Sequence, residues 1–127
     1  MEDFIKIEST RNLDAFHKRY LFYDGLVKNI HYSMADKSLF LTIECRDSKE
    51  QWLLLTILIN GVSGVRFLER QGNQEIISTG LRIIKIQNTG YLLTLDDESI
   101  EDPQTLQKEG YFVVVGDTIS YHESYHY

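Results

Sequence analysis

Two periods of hydrophobic and polar residues divide the chain. Over residues 9–22 apolar side chains recur every three or four positions, which predicts a short helix. Ser9 or Asn12 is expected to cap its start, and Asp24-Gly25 to end it, because glycine reaches backbone angles that stop a helix. The predicted helix face is formed by Leu13, Phe16, His17 and Tyr20.

After the helix the period falls to two, which predicts strands. The segment Trp52–Ile59 is apolar in both parities, so we expect it in the middle of a sheet with both faces covered. Asn88-Thr89-Gly90 indicates a hairpin turn, and Gly116-Asp117 is expected to join a last pair of strands. The predicted strands are 26–34, 39–45, 52–59, 62–68, 81–87, 91–95, 111–115 and 118–122, with an acidic loop over 96–110.

This order of elements predicts a mainly β fold of the α+β type. We expect an antiparallel β-sandwich or open barrel of seven to eight strands, with one short N-terminal helix closing one end. The 127 residues fit a single domain, 1–127. Hydrophobic residues make up 43% and charged residues 25%, which is ordinary for a globular domain and excludes a disordered or fibrous chain.

Cysteine content and the N-terminal segment bear on the cellular compartment. Cys45 is the single cysteine, so a disulfide framework is excluded and a reducing compartment is expected. Residues 1–6 carry the acids Glu2 and Asp3 where a signal peptide needs positive charge, and no long apolar run follows them. The apolar stretch 52–59 is far shorter than the roughly 20 residues that cross a bilayer. We therefore predict a soluble, cytoplasmic protein with no membrane partner.

Charge is distributed unevenly along the sequence. Lysine and arginine number 13 against 19 aspartates and glutamates, which gives a net charge of −6. Residues 1–86 contain 12 basic and 11 acidic side chains, whereas residues 87–127 contain one basic and 8 acidic ones, so the last segment carries −7. Such a segment repels phosphate backbones and attracts cations. It disfavours direct nucleic-acid binding and favours a basic protein partner.

The residues that could perform catalysis do not form a known arrangement. Ser63 lies in Gly61-Val62-Ser63-Gly64, where the second glycine comes one residue too early for a nucleophile elbow, so a turn is expected. Cys45 alternates with apolar residues and is expected in the core. His122 and His126 have a metal-compatible spacing only on a helix, and a frayed or extended terminus is expected there. We predict a non-enzymatic protein without metal or cofactor.

The remaining functional feature of the sequence is a set of acidic and aromatic residues that could bind a partner protein. Five carboxylates fall within residues 96–102, and tyrosines follow in the same part of the chain. Carboxylates select a cationic partner, and aromatic rings supply contact area at low entropic cost. The alternative interpretation is a solvated loop beside core tyrosines. The predicted contact residues are Asp96, Asp97, Glu98, Glu101, Asp102, Tyr121 and Tyr125.

Three segments of the chain resemble a group of small bacterial immunity-protein-like domains found beside polymorphic toxins. The segments are Phe22-Tyr23-Asp24-Gly25, residues 52–59, and Gly61-Val62-Ser63-Gly64-Val65-Arg66-Phe67. Tyr23 stands where the group carries histidine, and Ile59 stands near an expected aromatic residue. The resemblance spans about residues 20–122 and implies a β-rich cytoplasmic antitoxin for a contact-dependent inhibition system.

The first hypothesis is therefore an immunity protein that occludes the active or docking site of a cognate basic toxin domain, in the resembling group often a nuclease. A second is a small-ligand-binding β-barrel with an apolar interior pocket that contains His31 or a buried carboxylate, of which an isomerase-like enzyme is one form. A third is an accessory subunit that pairs through a strand edge. A monomer and a weak homodimer are both compatible with the sequence.

Overall fold

The computed structural model describes residues 3–67, 75–76, 80–86, 90–96 and 102–125. Within these residues the chain forms ten strands and two helices. The strands are β1 (Ile5–Ile7), β2 (Tyr20–Ser33), β3 (Ser38–Asp47), β4 (Trp52–Asn60), β5 (Gly64–Phe67), β6 (Glu75–Ile76), β7 (Arg82–Ile86), β8 (Gly90–Thr94), β9 (Phe112–Gly116) and β10 (Thr118–Tyr125); the helices are α1 (Thr10–Arg19) and α2 (Pro103–Glu109).

The strands form two antiparallel sheets. The large sheet has the order β1-β10-β4-β3-β2-β6, and the small sheet has the order β5-β9-β8-β7. In the large sheet β10 lies between β1 and β4, with Ile119 opposite both Ile7 and Ile59. The predicted mainly β class with antiparallel sheets is thus confirmed, although the described residues contain ten strands rather than seven or eight and a second helix.

One hydrophobic core joins the two sheets and α1. The inward side chains of β3 and β4 have no exposed surface, and they cluster with Leu93 and Val114 of the small sheet and with Phe16 of α1. Burial of this much apolar surface is the main favourable contribution to folding. The fully buried members from β3 and β4 are Leu39, Leu41, Ile43, Cys45, Leu53, Leu55, Ile57 and Ile59.

A smaller hydrophobic cluster covers the opposite face of the small sheet. Leu106 of α2 is fully buried there against Leu92, Val113 and Val115. The helix begins at Pro103, directly after Asp102, whose side chain accepts from the backbone N–H groups of the first turn. The expected acidic loop over 96–110 is therefore wrong for 103–109. The sequence Asp102-Pro103 could have indicated this helix, because an aspartate cap followed by proline is a common helix start.

The first helix is shorter than predicted. Ser9 caps it, with Oγ accepting from Asn12 N–H at 3.1 Å, as one of the two proposed caps. It ends at Arg19, because Tyr20 is already extended and residues 20–23 alternate between buried and exposed as in a strand. Asp24-Gly25 therefore does not end the helix but lies inside β2, at an irregularity in the pairing with β3.

Gly25 permits the close approach of two strands at that irregularity. A Cβ atom placed there would lie 2.9 Å from the backbone oxygens of both Glu44 and Phe22. Asp24, the preceding residue, has a φ of +65°, which few residues other than glycine adopt at low cost. The backbone geometry of β2 at this point thus depends on glycine at position 25.

The last predicted hairpin is wrong. β9 lies in the small sheet and β10 in the large one, with Asp117 alone between them. A single connecting residue is too short for the two-residue turns that commonly join paired strands. Asp117 N–H instead donates to the Asn60 carbonyl at 2.9 Å, where the chain passes from one sheet to the other.

The central position of β4 is confirmed, but its coverage on both faces is not. Its inward residues are fully buried, whereas Leu54 and Leu58 on the other face are only half-buried and Trp52 is 45% exposed.

The hairpin of β7 and β8 is confirmed by their pairing from Arg82–Thr94 to Ile86–Gly90, with the connecting residues 87–89 outside the described part. Neither described helix combines the length and apolar composition that a bilayer span requires.

Candidate partner-binding surface

Asp96, the first predicted contact residue, is buried and bonded within the fold. Its carboxylate accepts hydrogen bonds from the backbone N–H groups of Tyr111 (2.9 Å) and Phe112 (3.1 Å) and from the Thr94 hydroxyl (2.9 Å). The residue is 6% exposed. Asp96 thus joins the end of β8 to the start of β9 and does not present its charge to a partner.

Asp102 lies at the other end of the acidic segment and is exposed. Its carboxylate accepts from the Thr105 hydroxyl at 2.9 Å and from the backbone N–H groups of Gln104 and Thr105 at 3.3 Å. These bonds, the Thr105 hydroxyl first, lower the pKa of Asp102, so the carboxylate remains charged at neutral pH. The predicted residues Asp97, Glu98 and Glu101 lie outside the described part of the chain.

Tyr121 packs among aromatic residues at the edge of the core. Its ring centroid lies 5.0 Å from that of Phe16 and 5.9 Å from that of Tyr20. Burial raises the pKa of the Tyr121 hydroxyl. The side chain is half-buried, so only part of the ring remains available for a contact outside the chain.

Tyr125 is also bonded within the fold. Its hydroxyl donates to Asp47 at 2.9 Å, and Asp47 further accepts from the N–H groups of Lys49 and Gln51 in the turn between β3 and β4. The Gln51 N–H is the main cause of a lowered pKa at Asp47. Desolvation and the bond to Asp47 raise the pKa of Tyr125. This tyrosine therefore fixes the end of β10 to that turn.

A charged network that the sequence did not indicate lies beside these tyrosines. Glu123 accepts from Arg19 at 2.6 and 3.1 Å and from the Tyr20 hydroxyl at 2.6 Å. The Arg19 bond is the largest cause of a lowered pKa at Glu123, and burial raises the pKa of Tyr20. These three groups satisfy one another and hold the end of α1 against β10.

An exposed patch of the residue types that dominate protein interfaces lies at one end of the large sheet. Leu21, Arg46 and Trp52 occupy neighbouring positions on β2, β3 and β4, and Tyr23 follows on β2. Tyr23 is 60% exposed and Trp52 45% exposed, and the Arg46 guanidinium lies 5.6 Å from the centre of the Trp52 ring. Tryptophan, tyrosine and arginine are enriched among residues that carry binding energy. The sequence did not indicate this patch, because the apolar run over 52–59 predicted that both faces of the strand, and hence Trp52, would be covered.

The rejected catalytic candidates have simple structural roles. Cys45 is fully buried, and burial raises the pKa of its thiol to about 12. Ser63 is exposed in the connection between β4 and β5, as expected for a turn. His122 lies on β10, which extends to Tyr125, so the terminus is extended rather than helical over these residues. In the described ranges no three histidine, cysteine or carboxylate side chains group as metal ligands.

Two open clefts at the surface, each lined by described residues, bear on the ligand-binding hypothesis. One lies beside the start of α1 and the other beside β5, and their volumes are about 150 and 130 Å³. Pockets that hold small ligands are typically about 300–1,000 Å³. His31 is exposed on β2 and does not lie in the interior.

The chain was compared with known proteins at three levels. No protein-family model, curated protein or solved structure matches it.

Proposed function

We propose that the chain is a non-enzymatic immunity-type protein that binds a basic toxin domain and blocks its active or docking site. The observation that carries the proposal is the separation of charge, since residues 87–127 carry −7 and residues 1–86 carry +1. Unlike charges accelerate the encounter of two proteins and select among partners. A basic nuclease domain, which must itself attract phosphate, has the complementary charge.

The bonding of Asp96 and Asp102, at the two ends of the acidic segment, supports a proposal for which of its carboxylates contact the toxin domain. Asp96 is held by backbone donors of β9, and Asp102 by the first turn of α2. Both ends of the segment are therefore anchored in the fold. We assign the electrostatic contact to Asp97, Glu98, Glu101 and Asp102, and assign Asp96 the role of anchor.

The tyrosines have a smaller part in the proposed contact. Tyr121 and Tyr125 each have a half-buried side chain with partners inside the chain. Their exposed portions can add apolar contact area, and truncating them would also disturb the core. Charge reversal is therefore the cleaner test.

Co-expression with the C-terminal domain of a large secreted protein encoded directly upstream tests the proposal. The triple variant Asp97→Lys, Glu98→Lys, Glu101→Lys is expected to slow association by about 10-fold or more at low salt and to lose protection of the cell. The matched control is Asp3→Lys, Glu8→Lys, Asp14→Lys, which changes the net charge by the same amount at three exposed positions of the first segment.

Two results would count against the proposal, and they differ. If the unaltered chain neither binds nor protects against that domain, the immunity function is wrong. If it binds and protects but the two triple variants behave alike, the function stands and the assignment to residues 97–102 is wrong.

A further inference from the structure

The open cleft beside the start of α1 lies between that helix and the small sheet. Ser9, Thr10 and Leu13 line it from the helix, and Lys85 of β7 and Tyr91 of β8 line it from the sheet. Its volume of about 150 Å³ matches that of an engineered cavity that binds benzene, so the cleft admits roughly six non-hydrogen atoms. This is the size of a small metabolite rather than of a drug-sized ligand.

Tyr91 is almost entirely enclosed, yet its hydroxyl has no hydrogen-bond partner among the described residues. The residue is 6% exposed and belongs to the main hydrophobic core. Its hydroxyl oxygen is not one of the unpaired polar atoms that are fully shielded from solvent in the described ranges. Since Tyr91 lines the cleft, that opening is where a partner for the hydroxyl would bind. Buried tyrosine hydroxyls usually have such a partner.

The first turn of α1 supplies two more hydrogen-bond donors beside the cleft. Ser9 Oγ accepts from Asn12 N–H at 3.1 Å, and the Ser9 carbonyl accepts from Leu13 N–H at 3.0 Å. The N–H groups of Thr10 and Arg11, in contrast, have no acceptor in the part of the chain that the structure describes. Such N–H groups and the positive end of the helix dipole favour an anion at this position.

Two residues of opposite charge line the cleft without pairing with each other. The ammonium nitrogen of Lys85 lies 4.5 Å from the centre of the Tyr91 ring, and Glu8 lies beside the start of the helix. Neither Lys85 nor Glu8 forms an ion pair with another described residue. A lone anion would be attracted by Lys85 and by the helix but repelled by Glu8. A ligand that carries both charges avoids this conflict.

We propose that this cleft binds a small zwitterion, a free α-amino acid of about the size of alanine. Its carboxylate accepts hydrogen bonds from the Tyr91 hydroxyl and from the free N–H groups of the first turn of α1, with Lys85 as the countercharge. Its ammonium group lies toward Glu8, and its side chain packs on Leu13. The inference does not depend on the proposed immunity function, because the residues that line the cleft lie outside the acidic segment.

Titration of the purified chain with L-alanine in phosphate-free buffer tests the site. Calorimetry is expected to show one binding event with a dissociation constant of about 1 mM or lower. In nuclear magnetic resonance spectra the amide signals of Thr10, Arg11 and Tyr91 should shift. Propionate is alanine without its amino group, and ethylamine is alanine without its carboxylate. Each should bind at least about 10-fold more weakly than alanine, because one charged contact is missing.

Two variants test the residues assigned to the carboxylate. Lys85→Met and Tyr91→Phe remove the countercharge and the hydroxyl while they keep the apolar part of each side chain, so each should weaken alanine binding about 10-fold. Lys108→Met and Tyr23→Phe make the same changes at exposed positions that do not line the cleft, and they should leave binding unchanged. Circular dichroism melting checks that all four variants fold.

A third variant separates a zwitterion site from an anion site. Glu8→Gln removes the charge assigned to the ammonium group, so alanine should bind about 10-fold more weakly. Propionate, which has no ammonium group, should bind to Glu8→Gln as tightly as to the unaltered chain or more tightly.

Three results would overturn the inference. No binding of alanine up to about 20 mM excludes an amino-acid site. Alanine binding that Lys85→Met and Tyr91→Phe leave unchanged lies elsewhere on the chain. If propionate or inorganic phosphate binds as tightly as alanine and Glu8→Gln has no effect, the cleft takes an anion and not a zwitterion.

Discussion

The backbone N–H of Ile83 on β7 donates a hydrogen bond to Nε2 of His17 on α1, with 3.1 Å between the two nitrogens. An acceptor nitrogen on imidazole requires the neutral ring. Burial is the main cause that lowers the pKa of His17 below its ordinary value of 6.5, Arg82 adds to the effect, and Asp14 opposes it. This bond links α1 to β7 of the small sheet, in addition to the hydrophobic core that the helix and the sheet share.

The bond makes stability dependent on pH. Because the pKa of His17 is lower in the folded chain, the unfolded chain binds more protons below pH 6.5, and the stabilisation present above that value is lost as pH falls. Urea unfolding between pH 7.5 and 5 should show a steeper loss for the unaltered chain than for His17→Gln, whose amide oxygen can still accept. Parallel profiles for the two proteins would contradict this prediction.

Removing the Asp96 carboxylate should destabilise the fold. Asp96→Ala leaves the N–H groups of Tyr111 and Phe112 without their acceptor, and each buried unsatisfied donor costs about 1–3 kcal/mol. The free energy of unfolding from urea titration is the measurement. Asp3→Ala, at an exposed aspartate, is the control and should change it by less than about 0.5 kcal/mol. Equal stabilities would refute the anchoring role of Asp96.

The Glu123 network should show energetic coupling. Tyr20→Phe removes the hydroxyl that donates to Glu123 at 2.6 Å and leaves the ring in the core, so a loss of about 1 kcal/mol is expected. A double-mutant cycle with Glu123→Ala, which leaves the Tyr20 hydroxyl without a side-chain acceptor at position 123, measures the interaction between the two side chains. Strict additivity of the two single changes would mean that the bond contributes nothing to stability.

Alanine at position 25 should be poorly tolerated. Its Cβ would lie 2.9 Å from two backbone oxygens, and backbone cannot move aside as a flexible side chain can, so Gly25→Ala should cost about 1–3 kcal/mol. Gly64→Ala is the matched control, because the nearest atom there, Val115 Cβ, is 3.9 Å away in ordinary contact. Thermal melting distinguishes the two. A Gly25→Ala variant as stable as Gly64→Ala would show that β2 can shift freely at this point.

Local periodicity predicted most strands, and its errors have physical causes. Cys45 was placed correctly because the uninterrupted alternation of β3 allows one consistent assignment. The strand β4 is apolar in both parities, so its sequence predicted its central position but not which face is buried. The end of α1 was misplaced because Tyr20 fits both the helical face and the first inward position of β2. The three-residue β1 is too short to carry a period of its own. Sheet membership of β9 and β10 depends on long-range pairing, which sequence spacing does not report.

For the candidate surface, only the concentration of negative charge could be predicted from the sequence. Composition located the acidic segment, but the local sequence did not show that Asp96 would turn inward to bind two backbone donors of β9. The exposure of Tyr23 and Trp52 follows from which face of the large sheet the small sheet covers. That choice is made by tertiary packing.

The place of β10 between β1 and β4 also governs the order of folding. Neither β1 nor β4 can pair with β10 until residues 118–125 have been synthesised. During synthesis on the ribosome, the edge of β4 that pairs with β10 therefore remains unpaired, and its side chains are mostly apolar. Loss of that one strand would detach β1 and leave β4 open to aggregation. The large sheet is therefore completed by a strand whose partner β4 ends at Asn60, more than fifty residues earlier in the chain.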